Sequence, residues 1–333
     1  MIDPNAKYNS LHLVAPEFAR ELEAFPVLPL SDDFIAFLRQ GGGLDHGFLD
    51  TEVPDDLVEI GCEEVFIPGP VGAPDVRLLV YTPPREADAA RPALLHIHGG
   101  GYILGTPEIN DLSNRRTVLE HDCVVASVDY RLAPETRWPG AVEDCYAALR
   151  WLHENAGSLK IDTARIAIAG ESAGGGHAAA LALLARDRGE FPICFQLLDS
   201  PMLDDRTSGA SDPHPYTGEL TWTRDQNAFG WRALLGVEPG GSDVPAKAVP
   251  ARAENLAGLP ATCIAVGALD LFLEECMEYA RRLSRAGVPI ELLVTPGAFH
   301  GAGMSRVDTP LVATKMRVKR EALARAFNPP PIG

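Results

Sequence analysis

Gly170-Glu171-Ser172-Ala173-Gly174 constrains this chain more than any other stretch. It follows residues 165–169 (RIAIA), an apolar run that reads as a buried strand, and it leads into residues 175–184 (GGHAAALALL), an Ala/Leu-rich helical stretch. A G-x-S-x-G placed where a strand turns into a helix holds its serine in a strained, sharp turn with the hydroxyl exposed above the sheet. The positions two residues to either side must be small, because the strand end and the helix start nearly touch there, and Gly170 and Gly174 meet that need. An incidental serine in a Gly/Ala-rich helix start is the alternative. The strand before and the helix after argue against it.

A second motif lies upstream. Residues 92–97 (PALLHI) read as another buried strand, and this one ends in His98-Gly99-Gly100-Gly101-Tyr102. Acyl transfer develops negative charge on a carbonyl oxygen, and preorganised backbone N–H groups stabilise that charge. Three glycines let backbone approach a substrate with no Cβ in the way. A partnering donor is expected from the N–H of Ala173, directly after the serine. His96 and His98 form an H-x-H at a strand end, which can bind metal on one strand face. That scheme needs further ligands on a barrel of about 8 β/α units, and it leaves the glycines without a role. No metal is expected. His98 is read as bracing the glycine loop and His96 as a packed core histidine.

A serine hydroxyl is a weak nucleophile until a base removes its proton, and the base needs an acid to fix its tautomer. For a serine on such an elbow the chain order is Ser, acid, His. Of nine histidines, His214 and His300 follow Ser172 outside the elbow helix. His214 lies in a Pro/Gly/Asp-rich irregular stretch. His300 lies in a loop after the strand pattern 290–295 (IELLVT), where the other motifs also end, and it is the expected base. Asp270 and Asp199 both close strand patterns after the serine. Asp270 is favoured because one helix and one strand separate it from His300, which makes their strands neighbours. Asp129 also ends a strand but precedes the serine, and is read as a structural ion pair or turn acceptor.

Taken together, these residues resemble the hormone-sensitive-lipase-like esterases, the bacterial family IV carboxylesterases of the α/β-hydrolase fold. The resemblance rests on His98–Tyr102, on Asp129-Tyr130-Arg131-Leu132-Ala133-Pro134-Glu135, on Trp138–Trp151 and on Gly170–Gly176. It continues through Ser200-Pro201-Met202-Leu203-Asp204-Asp205, Gly267–Glu275 and Phe299–Gly301, and covers the chain from about residue 75 onward. It implies Ser172, Asp270 and His300 as a catalytic triad. It also implies the N–H groups of Gly100, Gly101 and Ala173 as the oxyanion hole. Two positions depart from the family pattern: Glu171 stands where Asp or Thr is frequent, and Leu271 where Pro often follows the acid.

The remaining pattern agrees with an α/β class. Residues 76–82, 94–98, 123–129, 165–169, 194–199, 262–267 and 290–295 read as strands, with an antiparallel edge strand expected within 58–67. Helical patterns lie between many of them. The clearest is 140–155, where Val142, Cys145, Leu149 and Leu152 recur at helical spacing. Such alternation gives a mainly parallel sheet flanked by helices, with functional groups at the C-terminal strand ends. Two segments interrupt it. Residues 1–50 contain short helical patterns around Pro16–Phe25 and Ser31–Gln40, the second stopped by Gly41-Gly42-Gly43. Residues 203–250 hold a helix opened by a Thr223/Gln226 capping box and closed at Gly236. Its neighbourhood concentrates Trp222, Phe229 and Trp231, read either as docking the segment or as lining a substrate pocket. The resemblance implies a helical cap built from 1–50 and 203–250 over a catalytic domain spanning 51–333.

A net charge of −17 argues against nucleic acid and anionic membrane surfaces as partners. Six widely spaced cysteines with no C-x-x-C read as buried free thiols in a reducing compartment. The start, with Asp3 and Pro4, has neither a basic stretch nor an apolar run, and no run of about 18 apolar residues occurs anywhere. Cytoplasmic placement is the expectation. The expected function is a serine carboxylesterase acting on short- to medium-chain esters without a cofactor. A homodimer through an edge strand at 290–295 is also expected. The rival is a non-catalytic small-ligand-binding protein on the same fold. Plant gibberellin receptors resemble these esterases in that way but lack the catalytic histidine. An amidase, lactonase or deacetylase would use the same triad.

Overall fold

The structure, a computed structural model, describes residues 9–24, 27, 30–40, 52–85, 88–304 and 309–329. Its strands are β1 Gly61–Ile67, β2 Val76–Thr82, β3 Arg91–Ile97, β4 Val124–Asp129, β5 Ile161–Glu171, β6 Phe195–Asp199, β7 Ala261–Gly267 and β8 Ile290–Thr295. They form one sheet in the order β1-β2-β4-β3-β5-β6-β7-β8. The β1/β2 and β2/β4 pairings are antiparallel and the rest parallel. The expected edge strand within 58–67 is therefore present as β1. The central strands are buried on both faces, which is why they read as near-continuous apolar runs rather than as alternation. The chain runs outward from β3 to β4 and returns on the other side of β3 as β5. Strand order thus reverses between β3 and β5, and in open α/β sheets the crevice at such a reversal is where ligands bind.

The helices are α1 Ala19–Ala24, α2 Asp32–Arg39, α3 Asp111–His121, α4 Gly140–Glu154, α5 Ala156–Leu159, α6 Ala173–Arg188, α7 Arg224–Leu235, α8 Leu273–Arg285 and α9 Pro310–Phe327. In α4, the four residues with helical spacing, Val142, Cys145, Leu149 and Leu152, are all buried. One core joins the sheet to α4, α6, α7 and α8; a second, on the opposite face, joins it to α3 and α9. No helix among the described residues is long and apolar enough to cross a membrane. Cys123, Cys145, Cys263 and Cys276 are buried free thiols, Cys194 is half-buried, and Cys62 is exposed on β1.

The two interrupting segments pack against the C-terminal strand ends. The pattern expected at Pro16–Phe25 is a turn, Pro16–Phe18, running into α1, and the one at Ser31–Gln40 is α2, capped where the Ser31 hydroxyl accepts the Phe34 N–H. The Gly41–Gly43 stop and the reading of Asp3 and Pro4 lie outside the described residues. Arg39 donates to the carbonyls of Ile103 and Ala133 and pairs with Glu135, which fixes α2 beside the glycine loop. A third apolar cluster brings together Phe18, Leu220, Leu269, Ala298, Phe299 and Ala302. These residues come from the N-terminal segment, the 203–250 segment and the turns after β7 and β8.

The 203–250 segment is fastened at both ends. Buried Glu275 on α8 accepts the N–H groups of Leu203 at 2.7 Å and Asp204 at 3.3 Å. Asp205, fully buried, receives a two-pronged pair from Arg252 at 2.7 and 2.9 Å, and the Ala251 N–H reaches the Leu203 carbonyl. Inside the segment, α7 carries both halves of the capping box, with Thr223 N–H to Gln226 Oε1 at 2.7 Å, and ends at Gly236 with φ 71°.

Candidate active site

Ser172 joins β5 to α6 with φ 54° and ψ −120°. This backbone conformation is costly for any residue bearing a Cβ, by about 1–3 kcal/mol. Neighbouring backbone holds it there: Ser172 N–H donates to the Asp199 carbonyl at 2.9 Å, and the Ser172 carbonyl accepts from Met202 and Gly176, each at 3.0 Å. The two flanking glycines permit the approach. A Cβ at Gly170 would lie 2.4 Å from backbone of Gly174, and one at Gly174 would lie 2.0 Å from the Ile97 carbonyl oxygen.

The turn aims the hydroxyl at an imidazole. Ser172 Oγ is 2.9 Å from His300 Nε2, and His300 Nδ1 is 2.9 Å from Asp270 Oδ2. Asp270 is fully buried and its other oxygen accepts the Phe272 N–H at 3.0 Å, so the carboxylate is fixed before it meets the histidine. The Phe272 ring stands edge-on to His300 at 5.0 Å. Ionised Asp270 accepts Nδ1–H, which leaves Nε2 free to accept the serine proton.

The glycine loop runs alongside. Gly100 has φ 126°, and a Cβ there would lie 2.0 Å from the Leu104 carbonyl oxygen. Its carbonyl points back into the loop, accepting Ile103 and Leu104 N–H groups. Among the described residues, the N–H groups of Gly100, Gly101 and Ala173 donate to no backbone acceptor. Three unpaired donors next to a serine–imidazole pair can stabilise an oxyanion on an atom attacked by Ser172.

A family model described as α/β-hydrolase fold matches residues 94–304. Esterase LipI of Mycobacterium tuberculosis is 34% identical over 309 residues, covering 86% of this chain and 87% of LipI. Carboxylesterase NlhH of the same organism is 35% identical over 287 residues, covering 83% of this chain and 86% of NlhH. A solved structure, a bacterial heroin esterase, superposes with a TM-score of 0.86 at 36% identity over 95% of this chain and 99% of that one. The chain belongs to the hormone-sensitive-lipase-like α/β-hydrolases.

In the hydrolase, other side chains singled out in the sequence have roles away from Ser172, some as expected and some not. Asp199 does not face His300; it lies between Lys315 at 2.8 Å and Lys319 at 2.7 Å on α9. Burial would raise its carboxyl, but the two lysines override that and hold it well below the ordinary range. Asp129 pairs with Arg77 at 2.8 Å, the structural ion pair expected of it. His96 is buried, as expected, but is not simply packed: Nδ1 meets Ser127 Oγ at 3.0 Å and Nε2 meets Glu171 Oε2 at 2.9 Å. Trp231 corrects the pocket reading. It is completely buried in the main core, 5.0 Å from the Tyr102 ring, and offers no surface to a substrate. Phe229 is partly buried against the same core. Trp222 lies beside His300, with its ring against Gly101 and 6.2 Å from that of His300. His300, and not His214, is the imidazole bonded to Ser172; His214 Nδ1 accepts the Tyr216 N–H at 3.2 Å.

His98 braces the glycine loop by a hydrogen bond, as expected, and what sequence reasoning missed is the aromatic packing of Tyr130 and His177 that supports it. His98 Nδ1 donates to the Gly99 carbonyl at 2.8 Å, the Tyr130 ring stacks on His98 at 4.3 Å, and Tyr130 Oη donates to the His98 carbonyl at 2.9 Å. His177 on α6 packs edge-on to Tyr130 at 4.9 Å. Burial pushes His98 down to about 4 and His177 down to about 3, so both rings are neutral in the fold. The unfolded chain takes up these protons near the ordinary value of about 6.5. Stability from these two rings is therefore complete above about 6.5 and is lost as pH falls from there toward about 4 and about 3, at up to about 1.4 kcal/mol per pH unit for each. Urea unfolding between pH 7 and pH 5 should show this decline, and His177→Gln should reduce the slope by about one proton's worth. An unchanged slope in that variant refutes the account.

Proposed function

We propose that this hydrolase is a serine carboxylesterase working through an acyl-enzyme, with Ser172 as nucleophile, His300 as base and Asp270 as the acid that orients it. The observation carrying this reading is the 2.9 Å and 2.9 Å chain from Ser172 Oγ through His300 to buried Asp270. Ser172 attacks the ester carbonyl while His300 Nε2 takes its proton. The tetrahedral oxyanion lies among the N–H groups of Gly100, Gly101 and Ala173. Collapse expels the alcohol, which receives the proton from His300, and water then repeats the sequence on the acyl-enzyme. Esterase LipI and carboxylesterase NlhH support an ester as the substrate. The presence of His300 in bonding distance of Ser172 favours turnover over a ligand-holding role on the same fold.

The segments before residue 51 and at 203–250 act as a cap. Trp222 is its working surface. With one edge on Gly101 and its ring 6.2 Å from that of His300, it walls the space above the reacting atoms, and Phe229, partly buried on α7, is assigned to the same pocket. A walled pocket favours short- to medium-chain acyl groups. Exposed Leu292 and Val294 on edge strand β8 support pairing with a second copy.

Ser172→Ala should abolish hydrolysis, by about 10⁶ in kcat, with the fold kept. Asp270→Asn should cost about 10⁴ in kcat near neutral pH by letting the imidazole take the wrong tautomer. Asp199→Asn should instead lower stability, because it leaves two lysine ammoniums without their carboxylate. Steady-state rates and circular dichroism at matched folded fractions read both; collapse in the Asp199 variant with normal turnover in the Asp270 variant reverses the assignment.

Across an acyl series, kcat/KM should rise with each methylene, worth about 0.8 kcal/mol, and fall beyond about eight carbons. Trp222→Ala should move that optimum to longer chains. An optimum at long-chain triglycerides in the wild type, or an unmoved optimum in the variant, contradicts the walled pocket. Sedimentation at micromolar concentration should give a dimer, and a monomer alone there removes the β8 pairing.

A further inference from the structure

A line of polar side chains crosses the sheet directly beneath the elbow, on the face covered by α3 and α9. Ser127 on β4 and His96 on β3 sit opposite each other in register, and their side chains meet at 3.0 Å. His96 reaches on to Glu171 at the end of β5, at 2.9 Å. Glu171 lies in register with Asp199 of β6, and Asp199 is gripped by Lys315 and Lys319. Two carboxylates side by side would repel, and Lys319 offsets this by attracting both. His96 and Ser127 are almost completely buried, so their hydrogen bond cannot be replaced by water without opening the sheet, whereas the Glu171 end of the line is one third exposed.

The placement of the His96–Glu171 bond sets its role. β3 continues without interruption into His98–Gly101, and β5 continues into Ser172. Glu171 immediately precedes the strained serine, and His96 lies two residues before His98. The two elements that must be held at a fixed spacing, nucleophile and oxyanion donors, hang from the two strands that this bond ties together. Ordinary ladder bonds pair Ile97 with Gly170 at the same level; beyond them β3 leaves the sheet, while β5 keeps one more rung on its other side, Glu171 with Asp199 of β6. Glu171 is the first position past the β3/β5 ladder from which a side chain can reach back to the neighbouring strand.

Resting on the serine esterase reading above, we propose that Glu171 and His96 form a positioning pair that sets the distance between Ser172 and the N–H groups of Gly100 and Gly101. The pair never touches substrate. It acts on the transition state, where the oxyanion is present, and leaves ground-state binding alone. A misplacement of the order of 1 Å at such a site costs about 10²-fold.

The test compares Glu171→Ala, Glu171→Gln, His96→Phe and the Glu171→Ala/His96→Phe double variant. Each is checked by circular dichroism and urea unfolding, then assayed on a short-chain ester. Glu171→Ala and His96→Phe should each lower kcat by about 10–100-fold with KM nearly unchanged. The double variant should be no worse than the poorer single one, because both single variants already remove the His96–Glu171 bond. Glu171→Gln should recover most of the loss, since its amide oxygen still accepts the His96 Nε2–H. Inhibition by a trifluoromethyl ketone, which forms the tetrahedral oxyanion on Ser172, should weaken in proportion to kcat/KM across the set. Losses seen in KM, additive losses in the double variant, or ketone affinity that stays constant while kcat falls would overturn the proposal. If Glu171→Ala fails to fold, His96→Phe and Glu171→Gln still decide through the ketone correlation. Failure of the esterase reading is separate: it appears as wild-type inactivity or as activity surviving Ser172→Ala.

Discussion

The left-handed backbone at Ser172 is the constraint on which the rest depends. A φ of 54° with ψ −120° at a serine is unfavourable, and it persists because the surroundings fix it from several directions. The β6 end accepts its N–H through Asp199, Met202 donates to its carbonyl, and Gly170 and Gly174 remove the Cβ atoms that would force strand and helix apart. In return the turn exposes a hydroxyl at the C-terminal rim of the sheet. There a histidine from the loop after β8 and an aspartate from the turn after β7 converge on it. Strain at this one residue is thus what converts a parallel sheet into a site.

Position within the sheet matters as much as strain. Strand order reverses between β3 and β5, so the loops leaving those two neighbours diverge and open a crevice. The glycine loop occupies one wall and the elbow the other. Beneath them, two different chemistries hold the walls. On the α6 side an aromatic stack of His98, Tyr130, His177 and Tyr102 supports the loop by packing. On the α9 side the line of Ser127, His96, Glu171, Asp199 and Lys319 supports the elbow by hydrogen bonds and charge. Neutral buried imidazoles suit the first; an ionised carboxylate beside cations suits the second.

Much of this was legible because the governing signals are local. Apolar runs of strand length located every parallel strand, with β5 starting at Ile161, four residues before its apolar run, since strands covered on both faces have no alternation to confuse. The Thr223/Gln226 box and Gly236 marked α7 because caps act within one turn of their own helix. His300 was separable from His214 because only one of them follows a strand. The two aspartates were not separable by chemistry, since both end strands after the serine. Connectivity favoured Asp270, but it took the position of α9, carrying Lys315 and Lys319 to β6, to show what Asp199 is for.

By itself, the sequence determined the α/β class, the elbow at Ser172, the glycine loop and the pool of groups for a triad. Each of these depends on residues close together in the chain: a glycine two positions away, a strand before, a helix after. The tertiary structure alone decided which way each side chain turns. Trp222 and Trp231 lie nine residues apart in one aromatic-rich stretch, yet one lies against Gly101 beside His300 and the other is sealed in the core, because Trp222 stands in the turn before α7 and Trp231 on the buried face of that helix. His96 and Glu171 look like a core histidine and a variable elbow residue until β3 and β5 become neighbours. Their partnership spans 75 positions and exists only once the crossover through β4 has closed.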